Sequence, residues 1–448
     1  MADLQLTRQR VTDSQILLRF MERNFGAPGV MNVPTTLRLT GALDRPALDA
    51  AVRDLADRHE ALRTTFGKID GRLHFAVHPG SDLAVTFTDT AATAHPAENA
   101  WRTIHERLTR DIDVVTGPPV TVDLIRTAPA EHLLMLNPHH LVTDAWSNML
   151  LLRDLAALYD ARLSGRPAGL PEVRWQFGDY AAWERRRLDG DGGRRDRAFW
   201  REQLRDARYL DLRPAPERAG ARPQTENVWF TLDADRTAAL KRAARRHRTS
   251  LFVITLALYA AVLHAASGET DVTVGSVFAN RARREAHETV GFFANMIPLR
   301  LRTGPNPQLT DHIDAARGTV LSALPHQGMP YRSLVLDPET AHARRAGEVV
   351  FHMLAVPPGV DAPHRPRFAG LTAEPFRIPD GMGSRFDLEL LVIPQNDALE
   401  GVFRYAGDRY ESAYVRGLAD AYAALVDDLI GGDTTSTQGH QPAGRTHP

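Results

Sequence analysis

The run Leu251–Ala266 (LFVITLALYAAVLHAA) is apolar at almost every position, with Thr255 and His264 as its polar interruptions. A helix that is apolar all round must be covered on all sides. This one is shorter than a comfortable bilayer span. It is therefore expected as a buried core helix, starting after the cap candidates Thr249 and Ser250. The 448 residues exceed a single ordinary core and suggest about two or three domains.

The chain alternates strand and helix patterns on both sides of a connector, Arg166–Pro171, which carries two prolines and a glycine. Ahead of it, strands are expected at Leu37–Leu39, Arg72–Val77, Ala84–Phe87, Val120–Ile125 and Leu133–Leu136. Asp44 should cap a helix with Pro46 in its first turn and Leu48, Val52, Leu55 and Leu62 at helical spacing. Another helix is expected around Asn99–Thr109, and Asn148–Leu163 has an apolar helical face that ends at Gly165. The charged stretch Arg185–Arg195 reads as a surface segment. Beyond it come a helix near Arg236–Arg246, strands at Asp271–Phe278, Val349–Leu354, Leu388–Ile393 and Leu399–Tyr405, and a helix from Tyr414 to Ile430. The expected organisation is α+β, with an N-terminal lobe at 1–175, a C-terminal lobe at 176–430 and a disordered tail at 431–448. A cleft between lobes is a common site for a substrate.

Composition narrows the function classes. Apolar residues make up 43% and charged residues 24%, ordinary for a globular chain. The net charge of −1 gives no global field to draw nucleic acid or an anionic membrane. With no cysteine, disulfides, thiolate metal sites and cysteine nucleophiles are excluded, as is any thiol that could hold an acyl group on this chain. The N-terminus has no apolar signal-peptide core, so a cytoplasmic location is expected.

The strand Leu133–Leu136 runs into His139-His140-Leu141-Val142-Thr143-Asp144, and a helix follows at once. The motif thus occupies a strand-to-helix turn, where side chains are exposed on rigid supports. An imidazole there can accept a proton near neutral pH, and a nearby carboxylate can fix its tautomer or hold the loop through an arginine. Residue types alone equally allow a structural reading: two of 18 histidines are adjacent, and Asp144 caps the helix. Zinc fits poorly because adjacent histidines lack the i, i+4 helical face. The spacing also differs from a non-haem iron triad, and no G-x-S-x-G elbow is present.

His139–Ser147 (HHLVTDAWS) resembles the HHxxxDGxS core of the condensation-domain family of nonribosomal peptide synthetases. In the same order along the chain, Arg58–Phe66 (RHEALRTTF) resembles the family's RHExLRTxF, and Phe177–Trp183 (FGDYAAW) its YxDYAxW. Val290–Arg300 (VGFFANMIPLR) is similar to GxFVNxxxxR, His326–Tyr331 (HQGMPY) to part of HQxxPFE, and Ser384–Leu388 (SRFDL) to a late segment. The resemblance implies two chloramphenicol-acetyltransferase-like lobes in a V-shaped pseudo-dimer with a tunnel between them. It implies acyl transfer from a carrier-protein phosphopantetheine thioester to an amine, in natural-product biosynthesis. Peptidyl or acyl carrier proteins would be the partners, phosphopantetheine would come from them, and the chain would be a monomer without a metal.

By the same resemblance His140 is catalytic, as a general base or by stabilising the tetrahedral intermediate. His139 and Asp144 are structural, with Asp144 paired to Arg281. Ala145, Trp146, Ser147, Asn295 and Ser384 are the candidates for the substrate path. Each also has a plainer reading: Ser147 as a first-turn serine, Asn295 as a partner for buried backbone groups, Phe292 and Phe293 as core, Trp183 as packing, and Arg58, His59 and Arg63 as a salt-bridged face.

The chain departs from the family at four places. Ala145 replaces the glycine after the aspartate; Ser14–Phe20 matches the opening signature poorly; Tyr331 and Arg332 replace phenylalanine and glutamate; and the RDxSRNP-type stretch is not recognisable near Val349–Pro357. With no adenylation or carrier segment following, a free-standing enzyme is expected. Ester formation with a small alcohol and a non-catalytic recruitment platform are the alternatives. Known platforms have lost the second histidine, whereas His140 is present.

Overall fold

The apolar run forms the helix Leu251–Ser267, and every residue from Val253 to Leu263 is buried. Ser250 caps it, its Oγ accepting from the Val253 N–H at 3.3 Å. Gly268 ends it in the left-handed region at φ 76°, a conformation that strains any residue with a Cβ. Among the described residues no single helix is long and apolar enough to cross a membrane. The computed structural model describes residues 7–25, 28–210, 212, 225–360, 365–376, 385–395 and 397–431.

The chain divides into two compact units, each mixing helices with a sheet. The first comprises Met1–Arg187, Ala279–Ala294 and Ala355–Met382, and the second Leu188–Phe278, Asn295–Leu354 and Gly383–Pro448. Neither unit is one continuous stretch, unlike the lobes at 1–175 and 176–430 expected from sequence. The helix Phe177–Asp189 stays with the first unit because Phe177, Tyr180 and Ala181 are embedded in its core. The charged stretch Arg185–Arg195 lies at the surface as expected, half-buried or exposed except at Gly193, and it is helical on both sides of Gly190. It spans the end of that helix and the start of Asp191–Leu204, whose buried Asp196, Trp200 and Leu204 anchor one face. The expected tail 431–448 lies outside the described residues from 432 onward, and Gly431 is the last residue of the helix Ser412–Gly431.

In the first unit a five-stranded sheet runs in the order Leu371–Pro375, Thr35–Gly41, Glu131–Pro138, Val120–Ala128, Val85–Asp89. All neighbours are antiparallel except the last pair. Strand alternation puts Leu37, Leu39, Val122, Leu124, Leu134 and Leu136 in one core with Leu48, Val52, Leu55, Leu151 and Leu155. Those last five belong to the helices Arg45–Arg58 and Ala145–Ser164. Asp44 caps the former as expected, its Oδ1 accepting from Ala47 N–H at 2.9 Å. In the second unit a six-stranded sheet carries the helix Leu251–Ser267 on its apolar face, with Val274, Phe351, Leu390 and Phe403 in that core.

Candidate active site

The strand Glu131–Pro138 delivers the histidine pair to its end, and the backbone pins the loop there. His139 N–H donates to the Pro119 carbonyl at 2.8 Å and His140 N–H to the Met31 carbonyl at 2.7 Å. A single helical turn, His140–Val142, then leads to Asp144, which caps the helix Ala145–Ser164. The cap is one of the two readings open in the sequence, and the ion pair with Arg281 is the other; Asp144 does both.

The two histidines differ in what their nitrogens can do. His139 Nδ1 accepts the Leu141 N–H at 3.1 Å, so its proton sits on Nε2, which donates to Glu22 Oε1 at 3.1 Å. Both nitrogens are committed, and only 2% of His139 is exposed. His140 is only partly buried. Its Nδ1 lies 2.8 Å from the Thr143 carbonyl, which can only accept, so Nδ1 carries the proton and Nε2 the lone pair. The His140 ring meets the edge of Phe292 at a centroid distance of 4.9 Å. Of the pair, His140 is the more exposed ring, and its Nε2 is the nitrogen that bears the lone pair.

Asp144 is buried and fully engaged. Oδ1 accepts from Ser147 N–H at 2.7 Å and from Arg281 Nη2 at 3.2 Å; Oδ2 accepts from Phe293 N–H at 3.0 Å. Arg281 donates through Nη1 to the carbonyls of Ala286 and Thr289, both at 2.7 Å, and lies 3.9 Å above the Phe293 ring centroid. Burial pulls the Arg281 pKa below its ordinary value, against the pull of Asp144. Ser147 is fully buried, and its Oγ accepts a hydrogen bond from Arg281 Nη2 at 2.7 Å while donating to the Gly291 carbonyl at 2.8 Å. The segment 279–294 is thereby stitched to the start of the motif helix. Ser147 is a strut inside this network, not a substrate-facing side chain as expected.

The other candidates fall as follows. Ala145 is the first residue of a right-handed helix, so the missing glycine imposes no left-handed strain there. Partly buried Trp146 donates its indole N–H to the His287 carbonyl at 3.0 Å. Asn295, in the second unit, donates to the Gln327 and Met329 carbonyls at 2.8 and 2.6 Å and accepts Tyr331 N–H at 3.0 Å. It thus ties together two of the segments singled out in the sequence, by satisfying buried backbone. Replacing it with alanine orphans three buried polar groups and is expected to cost about 2–4 kcal/mol in urea denaturation. Ser384 lies outside the described residues.

Three groups that pattern reading misses support the site. Glu22 holds His139 and is itself paired with Arg19. Asp154 accepts from Arg58 Nε at 2.7 Å, His59 Nε2 at 2.9 Å and Arg153 Nε at 2.8 Å. Its burial raises the carboxyl, but the His59 hydrogen bond and the arginine charges bring it to about 2. The salt-bridged reading of Arg58 and His59 is therefore the structural one, with His59 fully buried rather than solvated. Glu184, one helical turn after Tyr180, is 5% exposed, and that burial pushes its carboxyl up to about 7. Glu22 and Asp154 meet His139 and His59 only in the assembled fold, whereas Glu184 finds Tyr180 on its own helix.

Glu184 gives a stability test with a definite sign. The folded carboxyl keeps its proton up to about pH 7, whereas the unfolded one releases it near 4.5. The folded state binds more protons across that window, so stability falls as pH rises through it. Glu184→Gln is expected to match the wild type at pH 4 and exceed its stability at pH 8 by up to about 3 kcal/mol. Urea unfolding at both pH values measures this.

Residues 5–438 match the family model of the condensation domain. The chain is 34% identical over 426 residues to the phosphinothricin tripeptide synthetase PhsC of Streptomyces viridochromogenes, covering 92% of the chain and 38% of that protein. It is 33% identical over 324 residues to the malpinin synthetase of Mortierella alpina, covering 72% of the chain and 4% of that protein. The chain thus spans a minor part of the length of these relatives. Among solved structures, the X-domain from teicoplanin biosynthesis superposes with a TM-score of 0.80 at 23% identity, covering 97% of this chain and 98% of that one. The first condensation domain of the calcium-dependent antibiotic synthetase gives 0.80 at 19% identity, covering 96% and 98%. These likenesses show the fold.

Proposed function

The chain belongs to the condensation-domain family, and on that premise we propose that it is catalytic, joining an acyl thioester to an amine with His140 as general base. The donor is an acyl or aminoacyl group on the phosphopantetheine arm of a carrier protein. The acceptor nitrogen attacks the thioester carbonyl, its proton passes to His140 Nε2, and the sulfur leaves as a thiol once protonated. One C–N bond forms and one C–S bond breaks, with no redox change. Holding both substrates together supplies a large share of the acceleration, and the positioned base adds to it.

The observation that carries this reading is the hydrogen bond from His140 Nδ1 to the Thr143 carbonyl, which leaves the basic lone pair on Nε2. His139, Asp144 and Arg281 act as scaffolding: the ring nitrogens of His139, the carboxylate of Asp144 and both terminal nitrogens of Arg281 are hydrogen-bonded within the protein. The test offers acyl N-acetylcysteamine thioesters as donors, with aminoacyl thioesters and amino alcohols as acceptors, and identifies products by mass spectrometry. Amides support the proposal. Esters alone would replace it with O-acyl transfer, and unchanged thioesters across donors and acceptors would favour a recruitment platform.

A further inference from the structure

Asn280 stands at φ 52°, the left-handed region, one residue before Arg281. A residue with a Cβ holds that conformation only when its surroundings favour it. The Asn280 side chain supplies such a hold: its Nδ2 donates to the Tyr180 hydroxyl at 2.9 Å. The Tyr180 hydroxyl in turn donates to Glu184 Oε1 at 2.9 Å. Tyr180 and Glu184 are both buried, 3% and 5% exposed. The Tyr180 ring centroid lies 4.4 Å from that of Phe293, the ring that also carries the Arg281 guanidinium. These residues therefore reach Arg281 twice, through the backbone turn before it and through the ring beneath it.

We propose that Tyr180 and Asn280 are positioning residues that aim Arg281 at Asp144, with Glu184 directing the Tyr180 proton away from the Asn280 amide. A phenol has one proton; when Glu184 takes that hydrogen bond, the phenol oxygen presents lone pairs to Asn280. An ionised Glu184 is the stronger acceptor and strengthens the whole chain of bonds. Besides the Tyr180 hydrogen bond, Glu184 feels the charges of Asp13, in the first turn of the helix Asp13–Phe25, and of Arg187 and Arg185 on its own helix. The carboxyl titrates at about 7, so the chain tightens over the same pH range in which the fold loses stability. The inference rests on reading Arg281 and Asp144 as scaffolding of the proposed active site.

The test needs no substrate, so its failure leaves the functional proposal standing. Nitrogen-15 NMR of the arginine guanidinium groups, with the Arg281 signal assigned by its loss in Arg281→Lys, reads the geometry directly. Tyr180→Phe and Asn280→Ala are each expected to shift that signal. Asn280→Gly should retain it, because glycine takes φ 52° unaided, and Tyr180→Phe in that background should add no more than the loss of ring polarity. Should Tyr180→Phe fold poorly, the pH dependence carries the same test: the wild-type Arg281 signal titrates near 7 and Glu184→Gln abolishes that titration. An Arg281 signal unmoved by Tyr180→Phe, or one that still titrates in Glu184→Gln, overturns the proposal.

Discussion

Arg281→Ala is expected to destabilise the protein by about 3–5 kcal/mol, the largest loss of stability of any single change at the site. The reason is what the substitution leaves behind. Asp144 would remain buried without its cationic partner, keeping only the Ser147 and Phe293 amides as donors. The Thr289 carbonyl would lose the Arg281 donor, the Ala286 carbonyl would keep only the Thr289 N–H, and the space above Phe293 would empty. Replacing both partners by apolar residues, which often restores a buried pair, should not restore this one. Asp144 also caps a helix, and its loss orphans two backbone N–H groups as well. The double variant is therefore expected to be no more stable than Arg281→Ala, with urea denaturation as the measurement.

His140→Ala is expected to do the opposite: little to the fold and much to the chemistry. The ring is only partly buried, and among the described residues its removal gives up the hydrogen bond to the Thr143 carbonyl and the contact with Phe292. That is about 1 kcal/mol. A positioned general base, by contrast, contributes about 10²–10⁴-fold to rate. Activity lost with Arg281→Ala accompanies a weakened fold, whereas activity lost with His140→Ala does not. Measuring rate and unfolding on the same preparations separates the two roles.

The parts of this fold legible in the sequence are those written in local chemistry. Asp44 with Pro46, Ser250 and Gly165 mark helix ends by capping and a left-handed turn, and the structure puts helix ends there. The strand-to-helix placement of the histidine pair is legible for the same reason. What escapes depends on contacts far apart in sequence. The strand Leu371–Pro375 forms by pairing with Thr35–Gly41, and nothing in LTAEP announces that partner. The strand Asn295–Arg302 hides behind Pro298, which in its own run reads as a breaker. A division at 175 fails because segment 279–294, far downstream, closes around the motif helix. Among site residues, Glu22, Asp154, Glu184 and Asn280 carry no motif of their own. Ser147 becomes readable as a strut only once Gly291 and Arg281 are beside it.

The most direct measurement is single-turnover amide formation by the wild type and His140→Ala, on thioester and amine substrates that the wild type accepts, with thermal unfolding recorded alongside. The expected result is a rate at least about 100-fold lower in His140→Ala with an almost unchanged unfolding midpoint. Equal amide formation by two equally folded proteins would contradict the assignment of His140 as the base.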